Sequence, residues 1–131
     1  MQISSGLRDI LGDAIDTECG ATAFARFYTA ALATLLASAA CSNPAFGSSS
    51  GGDITLSGTP QDTTPAAAGT CTRLGIYKTT AATSALWVLL FGVATGGAPD
   101  VTMSNNVIAT SDTVQVSSLV VTVPAGTPDV T

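Results

Sequence analysis

The sequence predicts a mainly β protein, an antiparallel β-sandwich or barrel of about seven short strands with one N-terminal α-helix. Three observations predict it. The second half of the chain is almost all Thr, Ser, Gly, Ala and Val, arranged as short apolar runs that alternate with polar residues. Turn signals recur at close spacing, at Ser42-Asn43-Pro44, Gly47–Gly52, Thr59–Gly69, Gly96–Pro99 and Asn105-Asn106. Convincing helical periodicity is confined to the N-terminus. At 131 residues the chain is long enough for one core and not two, so it reads as a single domain over 1–131, with a short polar tail after 124.

The helix is expected over Ser4–Cys19. Ile3, Leu7, Ile10, Leu11, Ala14 and Ile15 recur at three- and four-residue spacing and form one apolar stripe. Ser4 or Ser5 suits the N-cap and Gly20 the C-terminal stop. Gly12 weakens the middle by about 1 kcal/mol relative to Ala, and Asp16 and Glu18 stand at the negative end of the helix dipole. Packing must therefore hold this helix, over one face or end of a sheet.

The β-domain follows over about 22–124. Thr22–Thr29 reads as a strand with Phe24, Arg26 and Tyr28 on one face and Ala23, Ala25 and Phe27 on the other. Ala31–Ala40 is helical by local content and a strand by position. Gly47–Gly52 is expected as a mobile tip. Asp53–Ser57 is a short strand, Thr59–Gly69 an exposed turn-rich stretch, and Thr70–Lys78 a strand with Leu74 and Ile76 opposite Arg73, Gly75 and Tyr77. Ser84–Val93 is the most apolar run; it reads as a strand buried on both faces at the centre of the core, with Trp87, Leu89 and Phe91 sharing a face. Short strands follow at Val101–Met103 and at Val107-Ile108. Val114–Val123 closes the domain, and its alternation slips by one residue at Ser117-Ser118, the signature of a β-bulge.

Composition excludes several functions. Charged residues are 10% of the chain and hydrophobic ones 46%, and the mean hydropathy of +0.45 is high for a lone monomer. Surface buried against partner chains, or a membrane segment, would account for it. The net charge of −5, with Arg8, Arg26, Arg73 and Lys78 scattered singly, argues against nucleic acid. An acidic exterior suits a mildly basic protein partner. The apolar stretch Ala21–Cys41 ends in LLASAAC, similar to a lipoprotein cleavage site. However, the residues before it are acidic where a signal peptide needs positive charge, Arg26 interrupts it, and Ser38 stands where a bulky aliphatic belongs. No membrane association is expected.

Nor does a reaction centre emerge. The chain has no histidine, which removes the commonest general base and metal ligand. Cys19, Cys41 and Cys71 lack zinc spacing; they read as small buried hydrophobes in a reducing compartment, or as one disulfide with a thiol left over. A Ser–Lys pair would have to use Lys78, on what reads as an exposed strand end. Asp53, Asp62, Asp100 and Asp112 stand in loops or beside turn residues, where aspartate serves turn hydrogen bonding. Gly51-Gly52 and Gly96-Gly97 lie in no phosphate-loop motif, and no spacing supports a Ca²⁺ site. No enzyme activity, cofactor or metal is expected.

Taken in order, the segments LRDILGDAIDTECGATAFARFYTA, TLLASAACSNPAFG, GGDITLSGTPQDTTPAAAGTCTRLGIYKTT and TMSNNVIATSDTVQVSSLVVTVP carry a resemblance from Leu7 to Pro124. The chain resembles a widespread family of small tailed-bacteriophage and prophage proteins. SALWVLLFGV departs from that pattern, being more apolar than the polar-interrupted strand expected there. The resemblance implies a virion structural protein, foremost a capsid decoration (cement) protein on the capsid exterior, made in the host cytoplasm. Its partners would be itself, as a homotrimer, and the major capsid protein. Phe24, Arg26, Tyr28, Tyr77, Trp87, Leu89 and Phe91 are the expected interface residues, with Trp87 and Tyr77 as aromatic anchors and plain core packing as the competing role. The alternatives are a head fibre base, head–tail adaptor or tail/baseplate protein. A carbohydrate- or surface-binding module is a further one, although one Trp and two Tyr are few for it.

Overall fold

The computed structural model describes residues 1–78, 87–97 and 99–127. Helix α1 (Ser5–Cys19) precedes strands β1 (Phe24–Tyr28), β2 (Leu35–Ala40), β3 (Asp53–Thr55), β4 (Gln61–Asp62), β5 (Gly69–Thr70) and β6 (Arg73–Tyr77). Then come β7 (Trp87–Ala94), β8 (Val101–Thr102), β9 (Val107–Ile108), β10 (Val114–Gln115) and β11 (Val120–Thr122). The first three residues expected in the apolar strand, Ser84–Leu86, and the end of the polar tail lie outside the described residues.

One five-stranded sheet runs β2-β1-β6-β7-β8, antiparallel but for the short parallel pair β7–β8. Three antiparallel ribbons, β3–β11, β4–β10 and β5–β9, together with α1, supply the other layer of a sandwich-like fold, and no barrel closes among the described residues. Between the layers Ala25, Phe27, Leu36, Ala37, Ala39, Leu74 and Ile76 of the sheet meet Phe46, Ile54, Leu56, Ile108, Val114, Val116 and Leu119. Each large side chain so buried contributes about 1.5–3 kcal/mol. The mainly β fold with one N-terminal helix is therefore as the sequence predicts.

Several details differ. The ambiguous Ala31–Ala40 resolves into a one-turn 3-10 helix at Ala30–Leu32 and then β2, because β1 offers a hydrogen-bonding edge that local propensity ignores. The expected exposed turn at Thr59–Gly69 seals the outer edge of β2. Asp62 Oδ2 accepts from Ser38 N (2.8 Å), while Ala66 N and Ala67 N donate to Leu36 O (2.8 and 3.3 Å). Edge strands left bare invite aggregation. The phase slip at Ser117-Ser118 is a change of partner, not a bulge: β10 pairs with β4 and β11 with β3.

The loop expected to be a mobile tip is gripped by the helix. Asp9, Asp13 and Asp16 lie on successive turns. Asp16 Oδ1 accepts from Phe46 N (2.8 Å), Asp13 Oδ1 from Ser49 N (2.7 Å), and Asp9 Oδ1 from Gly52 N (2.7 Å) and Ser49 Oγ (3.2 Å). Hydrogen bonds to a charged acceptor contribute about 1.5–3 kcal/mol each. The helix is consequently inverted. Its packed face is Arg8, Asp9, Gly12, Ile15, Asp16 and Cys19, and most of the apolar stripe that was expected to hold it, Leu7, Ile10, Leu11 and Ala14, faces outward.

Candidate interaction face

In an antiparallel ladder directly opposed residues share a face. Phe27 opposes Leu74, which opposes Phe91, and Ala25, Ile76 and Leu89 form the next such row; both rows belong to the inter-layer core. The sheet's other face carries the rows Phe24–Tyr77–Trp87, Arg26–Gly75–Leu90 and Tyr28–Arg73–Gly92, with Ala40, Ser38 and Leu35 of β2 completing them. This face is aromatic and aliphatic, and most of it is shut off from solvent: Arg26, Tyr28, Gly75 and Tyr77 are buried, Phe24 and Leu90 half-buried, and Trp87 is its exposed aromatic.

Among the expected interface residues, Phe24, Arg26, Tyr28, Tyr77 and Trp87 thus come together on the outer face. Leu89 and Phe91 do not: they point into the core. The expectation that Trp87, Leu89 and Phe91 share a face fails because the β6–β7 register shifts between Ile76 and Tyr77, so that Val88 is inserted and Trp87 turns to the opposite side. The strand is not the core's centre either. Val88–Gly92 are half-buried and Trp87 is 45% exposed, since β8 covers β7 only at Val93 and Ala94. The middle strand of the five is β6, and it and β1 are the strands buried along nearly their whole length.

The face is organised around Arg26, which is only 3% exposed. Its guanidinium carbon stands 5.2 Å from the Tyr77 ring centroid and 5.7 Å from that of Phe24, within cation–π range, and Nε donates to Ser38 Oγ at 3.4 Å. The Tyr28 and Tyr77 rings meet at 5.8 Å, tilted by 42°. Gly75 makes room for this arrangement: the Tyr77 ring lies over it, and a Cβ there would stand 2.5 Å from Tyr77 Cε2. Burial, aided by the neighbouring Tyr28 hydroxyl, pushes the Tyr77 phenol up to about 12.

A cleft of about 570 Å³ opens on the core side, floored by Phe27 and Leu74 and rimmed by segments 101–108 and 112–118. Among the described residues Asp112 is its one ionisable lining residue, and that carboxylate accepts from Ala109 N at 2.8 Å. Asp62 and Asp100 likewise serve the backbone, at Ser38 N and Thr64 N and at Gly92 N respectively. Lys78 Nζ pairs with Glu18 at 2.6 Å. Among the described residues no group of three metal-type ligands forms, and no helix is long and apolar enough to cross a membrane.

The three thiols are free. Burial pushes Cys19 up to about 12 and Cys41 up to about 11, and raises Cys71 as well. They are correspondingly weak nucleophiles at neutral pH. An unfolded thiol gives up its proton near 9 while native Cys19 keeps it to about 12, so the native state holds more protons across that window and stability falls as pH rises through it. The Tyr77 phenol adds to the fall above 10. The urea midpoint is expected to drop steadily from pH 8 to 11, less steeply in Cys19→Ala; a flat profile would contradict the buried-thiol assignment.

The class defined by this geometry is a β-sandwich-like domain whose sheet turns an aromatic, Arg-centred face away from its core. Compared with protein-family models, with curated proteins and with solved structures, the chain matches none.

Proposed function

We propose that the chain is a structural protein of a tailed-phage particle, a capsid decoration protein that joins to itself and to the major capsid protein. The observation that carries this reading is Trp87, exposed at the rim of a sheet face on which Phe24, Tyr28, Tyr77 and Leu90 pack with Arg26. Aromatic residues and Arg are the side chains enriched in interface hot spots. The sequence resemblance to small phage proteins supports the same assignment, as does an acidic surface suited to a basic shell partner. Self-association as a trimer would give each unit several contacts with the shell at once and so raise its avidity. No catalytic step, nucleic acid or membrane is part of this function.

Densitometry of purified particles tests the reading. A decoration protein is expected near parity with the major capsid protein, whereas about six to twenty copies, the count of closed rings, would place it at the neck, tail tip or baseplate. Rebinding to stripped shells tests the face itself. Trp87→Ala is expected to leave monomer stability within about 1 kcal/mol and to weaken binding by about thirtyfold, the effect of losing a hot-spot aromatic. Unchanged rebinding would remove Trp87 from the interface.

A further inference from the structure

The cleft over Phe27 and Leu74 is walled by two arms of chain, 101–108 and 112–118, that the tight turn Ala109–Asp112 joins. Asp112 N donates to Ala109 O (3.0 Å) and Ala109 N to Asp112 Oδ2 (2.8 Å). Arms joined so closely commonly pair with each other as a hairpin. These pair elsewhere instead: β8 with β7, β9 with β5 and β10 with β4. The space left between them is the cleft of about 570 Å³.

Along the arms, main-chain groups remain that the fold does not use. In a paired strand the N–H and C=O groups of successive residues point alternately to opposite sides. Val116 N donates to Pro60 O at 2.9 Å, so Gln115 turns its own N–H and C=O away from β4. Met103 N donates to Ala94 O at 2.9 Å, so Thr102 and Ser104 turn theirs away from β7. Among the described residues the main-chain groups of Thr102, Ser104 and Gln115 have no hydrogen-bond partner. At Val107 a side chain takes the place of a strand: its N–H donates to Asn105 Oδ1 at 3.0 Å.

We propose that this cleft is a strand-addition site, which takes an extended segment of a partner chain between its two arms. The unused groups select that occupant. A donor and an acceptor on every second residue, repeating at about 6.7 Å, are what another extended main chain supplies. The floor then sets the side chains. Alternate residues of the segment would point down at Phe27 and Leu74, both buried, and must be apolar. The residues between them would meet the Ser and Thr side chains of the rim and can be polar. Charge narrows the partner further. Among the described residues Asp112 is the one ionisable group lining the cleft and no Lys or Arg does, so the segment is neutral or basic. The volume lies within the roughly 300–1,000 Å³ of pockets that hold ligands. This site lies on the core side, apart from the outer sheet face, and does not depend on the decoration reading.

Capped hexapeptides test the site, each a lysine followed by threonine alternating with valine, leucine or phenylalanine, titrated to about 2 mM and followed by amide-resolved NMR. At least one of the three is expected to shift the Thr102, Ser104 and Gln115 amides and to slow their hydrogen exchange. The same peptide N-methylated at alternate amides is expected to bind at least about tenfold more weakly, because main-chain bonds supply the affinity. Gln115→Ala keeps the N–H and is expected to bind within about twofold of wild type, as an exposed side chain is lost. Gln115→Pro removes the N–H and is expected to weaken binding at least about tenfold. That N–H makes no bond to β4, so the ladder can accept the proline. Should Gln115→Pro lower the melting temperature, the N-methylated peptides make the same test on the unaltered protein. The proposal is overturned if none of the three peptides moves those amides, or if N-methylation leaves affinity unchanged. Equal losses in Gln115→Ala and Gln115→Pro would also overturn it, by showing recognition through the side chain.

Discussion

Gly12→Val is expected to be among the most damaging single substitutions in the chain, lowering stability by about 3 kcal/mol or more in urea unfolding. A Cβ at this position would stand 2.6 Å from Ser49 Oγ, 2.9 Å from Ser49 Cβ and 3.0 Å from Ile54 Cγ2. Ser49 cannot step aside cheaply, because its backbone N–H is held by Asp13 and its hydroxyl by Asp9. A β-branched side chain would push α1 off the loop and break the carboxylate contacts that replace an apolar seam. Gly6 supplies the control: it lies in the same helix with nothing within 4 Å of where its Cβ would be. Gly6→Ala is expected to stabilise by about 0.5–1 kcal/mol through helix propensity alone. If Gly12→Ala proved as stabilising as Gly6→Ala, the close approach of helix and loop would be wrong.

Gly75→Ala is expected to disturb the outer face as strongly. The new methyl would lie 2.5 Å from Tyr77 Cε2 and 3.3 Å from Cδ2, so the ring must swing away. In moving it loses the Arg26 guanidinium and the Tyr28 ring, and gains water. The cost is about 2–3 kcal/mol, combining overpacking at a buried position with a lost aromatic cluster. A spectroscopic readout separates this from a general loss of stability. The phenol that titrates at about 12 in the native protein is expected to return toward 10 in the variant, as ultraviolet phenolate absorbance would show. An unmoved titration together with unchanged stability would mean that the Tyr77 ring does not rest on Gly75.

How far these features were legible depended on range. The two-residue alternation of Phe24–Tyr28 and of Arg73–Tyr77 assigns both strands and the face of every side chain on them, because β-pleating leaves no other choice within a strand. The same alternation misplaces Leu89 and Phe91 relative to Trp87. One inserted residue at Val88 reverses the phase, and an insertion is visible only once β6 is known to be the partner. In Val114–Val123 the phase slip is plain in the sequence, but whether it marks a bulge or a change of partner is decided by β4 and β3, some fifty residues or more upstream.

The sequence alone determined the mainly β class, the single N-terminal helix, the strands around Phe24, Leu74 and Trp87, and the grouping of Phe24, Arg26 and Tyr28 on one face. These follow from local periodicity and turn chemistry, which act over a few residues. Tertiary structure alone decided which side of α1 is buried. Hydrophobic patterning chose the Leu7–Ile10–Leu11 seam, yet the folded protein packs the aspartate side against the loop, since three carboxylates at helical spacing match backbone N–H groups thirty or more residues away. Burial of a polar face costs little when its hydrogen bonds are made, and that condition depends on where a distant loop lies, which no window of sequence around the helix records.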